Sequence, residues 1–577
     1  MNRKSIFFCC LIFFGLIWVS RFLMINSFGF YEDDWVFAGH TINYTAKESL
    51  DRVSNAVVTF WQGRPLHMTF LTFIPWFGAK LGGLNALYSI GFLILGFNAC
   101  LYYFLLRKTL NQPYLPALAV LFFCLYPADT TFNYLTHLFG IQTSLLFLLF
   151  AFYLFALPQN PLRIQEKLSY LLAILSLLTY ESLFLVFFIA PFFRKEKVKK
   201  KEIIRHVAYS LGIVLFYVLL RKIAGESRIS DLSLLSAVQT LIFNTFLGPI
   251  ISLGTFFWRP WQILTDLNTT NIWIIILGTP AIYLMIRYLF NLSSSETRDR
   301  IEELIPETLK FIKLGLAMTV LAYPPALLLS VTMIDGRASR VHFAAVLGTT
   351  IIVAGLWALL LLKIYPQKIW RRIIPLLVAL HLSLLLAFSV DVQKDYSLSW
   401  QYQQNFWRDV LTLAPDITEN TVILLQAPNL QWGKQINPFD WSVLSILDSI
   451  YQFPKTWQFA PRLYILNANG EDWKKMIQPD GQFLLSNKNN GVRYHYEWEP
   501  ERFVKASDVI LLVEEDKQLT RKFELEKRPG EIVSLKDSRE QGQAPTFPKT
   551  LIFERLIGKD LSNTSDPKSA IYLGPQK

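Results

Sequence analysis

Three acids stand together at Glu32, Asp33 and Asp34, inside Tyr31-Glu-Asp-Asp-Trp35, just after the first long apolar stretch. Ionised groups beside hydrocarbon are costly and tend to mark function. A carboxylate within reach of a hydroxyl can take its proton as the oxygen attacks. Two adjacent carboxylates also repel, which raises the pKa of one of them. The same oxygens suit a hard divalent cation. A solvated acidic loop would carry the same residues, so spacing alone leaves these readings open.

Other candidates are basic or isolated. Arg64, in Gly63-Arg-Pro-Leu66, could pair with the acids, bind a phosphate or snorkel at the interface. Pro65 suits the first turn of a helix, and His67 to Lys80 reads as amphipathic. Glu181 sits in a long apolar stretch, where a carboxylate needs a partner or a polar cavity. Arg337, Arg340 and His342 lie at a membrane entry, and guanidinium groups recognise phosphate bidentately. Interfacial anchoring is the plainer reading of the same three. His137 reads as an interfacial histidine. No HExxH, P-loop, GxGxxG or CxxC pattern stands out.

These residues need elements to hold them. The 577-residue chain is 52% hydrophobic and 17% charged, which suits a polytopic membrane protein carrying a more polar part. Apolar stretches at about 6–26, 85–106, 114–130, 138–157, 168–180, 182–193, 207–224, 272–290, 311–333, 343–362 and 373–391 predict about eleven spans. The two short ones read as a hairpin turning at Thr179-Tyr-Glu-Ser182. Residues 232–262, broken by Asn244, Gly248, Pro249 and Gly254, read as interfacial or re-entrant.

The net charge of +12 concentrates in Arg194–Arg205 and Lys363–Arg372. Basic loops between spans read as cytoplasmic and argue against a nucleic-acid partner. Met1-Asn-Arg-Lys4 before an apolar run without a cleavage site predicts a signal anchor with a cytoplasmic N-terminus. The topology then puts loop 27–84, Glu181 and Arg337–His342 on the outer face, with an extracytoplasmic C-terminal domain. Cys9, Cys10, Cys100 and Cys124 lie in apolar stretches without metal-ligand spacing.

The expected division is a transmembrane domain over 1–391 and a soluble α/β domain over 392–577. In the latter, Tyr396–Leu413 reads as helix, and Thr421–Gln426, Arg462–Leu466 and Asp508–Val513 read as short buried strands. Residues 535–548 and 560–577 read as flexible.

Over about residues 1–391 the chain resembles the GT-C superfamily of polytopic glycosyltransferases, especially protein O-mannosyltransferases and their bacterial relatives. The resemblance rests on four features in order: Asp33-Asp34 after the first span, Arg64-Pro-Leu in the same loop, Thr179-Tyr-Glu-Ser182 at a hairpin tip, and Arg340-Val-His-Phe-Ala-Ala-Val-Leu-Gly348 entering a late span. Tyr180 departs from the lysine many relatives have at the tip, and His342 stands near an expected aromatic. The resemblance implies a sugar donor on polyprenyl phosphate, an outer-face glycan, lipid or protein acceptor, and inversion at the sugar. It implies Asp33 as base with Asp34 in support, and Arg340 with Arg337 on the lipid phosphate. No cofactor is required, a divalent metal at Asp33 and Asp34 being the less favoured arrangement. A transporter or flippase of a lipid or glycan precursor is the rival class. It would be expected to show inverted repeats and acids at the midplane.

Overall fold

A computed structural model describes residues 3–558 apart from 111–113, 158–163, 196–197, 226–232, 292–300, 328–329, 365–368, 428–434, 439, 467–475, 486–491, 493–500, 516–517, 529 and 538–546. The described chain is mostly helical, with a small sheet region towards its C-terminus. Eight helices among the described residues are long and apolar enough to cross a membrane: Ile6–Ser27, Pro65–Thr109, His137–Ala156, Lys200–Ile223, Leu235–Thr265, Thr269–Tyr288, Arg337–Lys363 and Arg372–Leu413. Tyr114–Cys124 and Glu181–Phe193 are apolar but shorter. So many apolar helices suggest a multi-pass membrane protein.

Two local outcomes refine the expected spans. Residues Leu234–Thr265 form one 32-residue helix, not an interrupted segment. Pro249 and Pro260 lie within it, and the Asn244 side-chain amide donates to the Ala326 carbonyl at 2.5 Å. Residues Glu181–Phe193 form a 3₁₀ helix, with Tyr180 extended before it. At roughly 2.0 Å rise per residue, thirteen such residues reach about 26 Å, close to the ~30 Å hydrocarbon thickness. A stretch that looks short as α-helix is thereby long enough to approach a full crossing.

The chain divides into two compact units. The larger comprises Met1–Ile25, Glu48–Ile74 and Asn85–Lys394. Inside it, helices Gln142–Ala156 and Ile164–Thr179 pack together. Ser144 donates to the Ser176 carbonyl at 2.9 Å and Ser169 to the Ala151 carbonyl at 2.7 Å. Small hydroxylated residues at such contacts allow close approach and supply hydrogen bonds.

The smaller unit comprises Asn26–Lys47, Pro75–Leu84 and Asp395–Lys577. Its main sheet has strand order β2-β1-β5-β6, with β1 Val422–Gln426, β2 Arg462–Ile465, β5 Val509–Glu515 and β6 Gln518–Lys522. β1 runs parallel to both β2 and β5, with Leu424 opposite Tyr464 and Leu511; β6 returns antiparallel. The buried Val-Ile-Leu-Leu run of β1 is what a parallel strand covered on both faces requires. Two further pairs, β3 Phe483–Leu485 with β4 Arg502–Val504 and β7 Glu524–Arg528 with β8 Glu531–Ser534, are antiparallel.

The division differs from the expected one in two ways. The expected boundary at 391/392 falls inside a single helix, Trp370–Leu413. The acid loop, expected within the transmembrane domain, groups with the C-terminal unit, while Glu48–Ile74 groups with the helices. Of the segments expected to be flexible, 538–546 and 560–577 lie outside the described residues. Lys536 is buried, its Nζ donating to Thr418 Oγ1 at 2.5 Å and Thr421 Oγ1 at 3.0 Å.

Candidate functional site

The acid loop in the smaller unit is built on aromatic packing. Gly29 lets the Trp400 ring lie on the backbone; a Cβ there would fall 1.8 Å from Trp400 Cε3. The Tyr31 hydroxyl donates to the Tyr396 carbonyl at 2.9 Å, and Trp35 Nε1 donates to Gln403 Oε1 at 2.9 Å. Between these anchors the chain turns tightly, with Asp34 N donating to the Tyr31 carbonyl at 2.8 Å. Glu32 takes a left-handed backbone (φ 44°) to make that turn. Such a conformation costs a non-glycine residue on the order of 1 kcal/mol and persists only where its surroundings impose it.

The turn sends the three carboxylates different ways. Asp34 is fully buried, and its Oδ2 accepts from the Tyr31 backbone N–H at 3.3 Å, so it braces its own loop. Glu32 Oε1 accepts from Asn437 N at 3.1 Å. Asp33 is 8% exposed, and its Oδ1 accepts from Trp441 Nε1 at 3.1 Å. Asp33 therefore retains some access to solvent that Asp34 lacks.

A fourth acid completes the cluster. Asp440 caps the short helix Trp441–Ser445, its Oδ1 accepting from Ser442 N at 2.9 Å and Ser442 Oγ at 2.5 Å. Burial, with the negative charges of Glu32 and Asp33 added, pushes the Asp440 carboxyl up to about 7. Asp440 was not legible as a site residue: a single acid between Phe439 and Trp441 looks like any capping aspartate. The Asp-x-Ser cap was the only local signal, and it points to helix initiation rather than to chemistry. Among the described residues, no group of three or more His, Cys, Asp or Glu side chains is placed to hold a metal ion.

The remaining predicted residues fall in the larger unit. Arg64 and Glu181 hold each other bidentately, Nε to Oε2 at 2.5 Å and Nη2 to Oε1 at 2.6 Å. Arg221 Nη1 approaches Glu181 Oε1 at 3.4 Å, and the Tyr180 ring lies 4.2 Å from the Arg64 guanidinium. Tyr180 thus stacks on the ion pair. His67 carries the cluster onward: its ring centroid is 5.9 Å from that of Tyr180, and it lies against Gly140, where a Cβ would meet it at 2.1 Å. Near Gly140, His137 Nε2 lies 3.4 Å from Arg340 Nη1.

Arg337 and Arg340 project from a 3₁₀ helix, Arg337–Ala345. Ser339 anchors that helix by donating to the Gly336 carbonyl at 2.7 Å and accepting from Thr130 N at 3.0 Å. His342 turns inward instead. It is fully buried, its Nδ1 lies 2.9 Å from the Tyr323 hydroxyl, and its carbonyl accepts from the Tyr126 hydroxyl at 2.8 Å. His342, expected beside the substrate, is held by these two tyrosines among the helices. Within the larger unit, Arg64, Glu181 and Arg340 are linked through His67 and His137, while His342 contacts Tyr323 and Tyr126. Asp33 and Asp34 belong to the smaller unit.

Comparison of the chain with family models, curated proteins and solved structures finds no match.

Proposed function

We propose that this protein is a membrane glycosyltransferase that moves a sugar from a polyprenyl-phosphate carrier to an acceptor hydroxyl, with Asp33 as general base. The acceptor oxygen attacks the anomeric carbon and the bond from that carbon to the phosphate oxygen breaks. The acceptor proton passes to Asp33, and polyprenyl phosphate leaves with its electron pair. A phosphate is a weak base, so this departure needs charge stabilisation rather than an acid, and guanidinium groups supply it. Arg337 and Arg340 take that role. Arg64 and Glu181, paired with each other, position their neighbours. Each role rests on the chemistry of its own cluster.

The observation that carries the proposal is the pair Asp33 and Asp440. One is a slightly accessible carboxylate accepting an indole N–H; the other is a buried carboxyl whose proton is retained to about neutrality. With the departing phosphate needing no acid, the one proton to be moved is the acceptor's, and a carboxylate within reach of a hydroxyl is what takes it.

The test is membrane vesicles carrying the full chain, supplied with polyprenyl-phosphate sugars and assayed for released carrier and glycosylated product. Asp33→Asn is expected to lower turnover by roughly 10²–10⁴-fold at unchanged expression. A variant that transfers sugar at the normal rate would sink the assignment. Movement of intact sugar-phosphate lipid between leaflets, with the glycosidic bond uncleaved, would indicate a flippase instead.

A further inference from the structure

A cleft of about 490 Å³ opens in the larger unit, between the ends of the Pro65–Thr109 and Glu181–Phe193 helices and residues 307–317 of Ile301–Leu321. Thr109 Oγ1 donates to the Phe193 carbonyl at 3.0 Å, which ties the first two ends together. The cleft's lining is graded. Phe192 precedes Arg194 and Lys195 along one wall, and Lys310 and Lys313 precede Leu314 along the other. On the first wall the charges follow the helix end; on the second, Glu307, Lys310 and Lys313 lie within the helix with Phe311 between them, and the apolar Leu314 and Ala317 follow.

The charges are not equivalent. Arg194 is answered by Glu166 and Glu202, each at 3.8 Å, and its Nε donates to the Phe155 carbonyl. Lys310 and Lys313 are exposed, and no ion pair to either is found among the described residues. Glu307 is the one acid on the lining. Phe192 is 45% exposed, an apolar side chain presented to whatever fills the cleft.

A ligand matching this lining carries an anionic group at the level of the lysines and a hydrocarbon tail running along the apolar side chains. We propose that the cleft binds an anionic glycerophospholipid, its headgroup phosphate on Lys310 and Lys313 and an acyl chain against Phe192 and Leu314. The basic flank is the one the positive-inside rule assigns to the cytoplasm, where anionic lipids and basic residues meet. A soluble anion would leave the apolar half of the cleft unused, and a zwitterionic lipid would leave the lysines without net charge to answer them.

The experiment uses the full chain purified in neutral detergent and offered phosphatidylglycerol or phosphatidylcholine, with lipid retention read by native mass spectrometry. Wild type is expected to retain phosphatidylglycerol preferentially. Lys310→Ala with Lys313→Ala should weaken that retention roughly thirtyfold, the scale of two basic residues at an anionic surface. Lys310→Arg with Lys313→Arg should keep it. Both lysines are exposed, so the variants should elute as wild type on gel filtration, and the arginine pair controls for any folding defect. Equal retention of the two lipids by wild type, or undiminished phosphatidylglycerol in the alanine variant, overturns the proposal. So does displacement by inorganic phosphate, which would assign the cleft to a soluble anion. None of these outcomes depends on glycosyl transfer.

Discussion

At the scale of single residues, the cluster is a case of adjacent acids given unequal surroundings. Asp34 closes on its own loop, Asp33 reaches an indole, and Asp440 is buried among like charges. The last has a consequence for stability. Its carboxyl rises from 3.8 to about 7 on folding, so the folded state holds a proton that the unfolded chain has already released. Stability from this group is therefore present at low pH and falls as pH rises from about 4 to about 7. Asp440→Asn removes the titrating group while keeping its shape. The variant should gain thermal stability relative to wild type at pH 8 more than at pH 5, measured as melting temperature in detergent. A difference between the two proteins that stays the same at both pH values would mean that Asp440 does not carry the shift. The acids of Tyr31–Trp35 were legible because they adjoin an apolar run; Asp440 lies 400 residues on and joins them only through the tertiary fold.

At the scale of elements, legibility followed burial. β1, β2 and β5 were readable because parallel strands covered on both faces must be apolar runs. β6, Gln-Leu-Thr-Arg-Lys, is an edge strand whose polar residues carry no such signal, and the short pairs β3–β4 and β7–β8 were equally silent. The segment 232–262 misled in the other direction. Its Gly and Pro residues read as breaks, yet the backbone stays helical through them. β6 is held by an interaction that sequence could not pair: Arg521 donates to Asp416 Oδ1 at 2.6 Å and Oδ2 at 2.8 Å, with both side chains 5% exposed. Arg521 Nη2 also donates to the Lys536 carbonyl at 2.8 Å. Removing one partner of a buried pair strands the other, at a cost of about 3–5 kcal/mol. Asp416→Ala should therefore accelerate hydrogen exchange along β5–β6, at Leu511 to Val513 and Leu519 to Lys522, before the transmembrane helices respond. Uniform acceleration across the whole chain would indicate that the pair does not act locally.

At the scale of the whole molecule, one helix controls how the apolar segments are counted. Reading 232–262 as re-entrant kept the basic loop at Lys363–Arg372 on the same side as Arg194–Arg205. A crossing by Leu234–Thr265 inverts the side of each later loop unless another segment also changes role. At roughly 1.5 Å per residue its 32 residues reach about 48 Å, ample for hydrocarbon even when tilted. It carries Arg259 near its C-terminal end, where the guanidinium lies 2.9 Å from Asp335 and donates to the Ile334 carbonyl. Asn244, in the first half of the helix, donates to the Ala326 carbonyl, so both halves lie against the 326–335 segment, and charge close to the interface is far cheaper than at the midplane. Gly225 and Asp266 flank this helix, and the four native cysteines are unpaired. Arg221 lies beside Glu181 before this helix and Asn271 donates to Asp391 after it, residues that the sequence reading puts on one face, so single cysteines at 225 and 266, in a chain with Cys9, Cys10, Cys100 and Cys124 replaced, are expected to react with an impermeant maleimide from the same side of sealed vesicles. Labelling of the two from opposite sides would mean that Leu234–Thr265 crosses and that each later loop changes side.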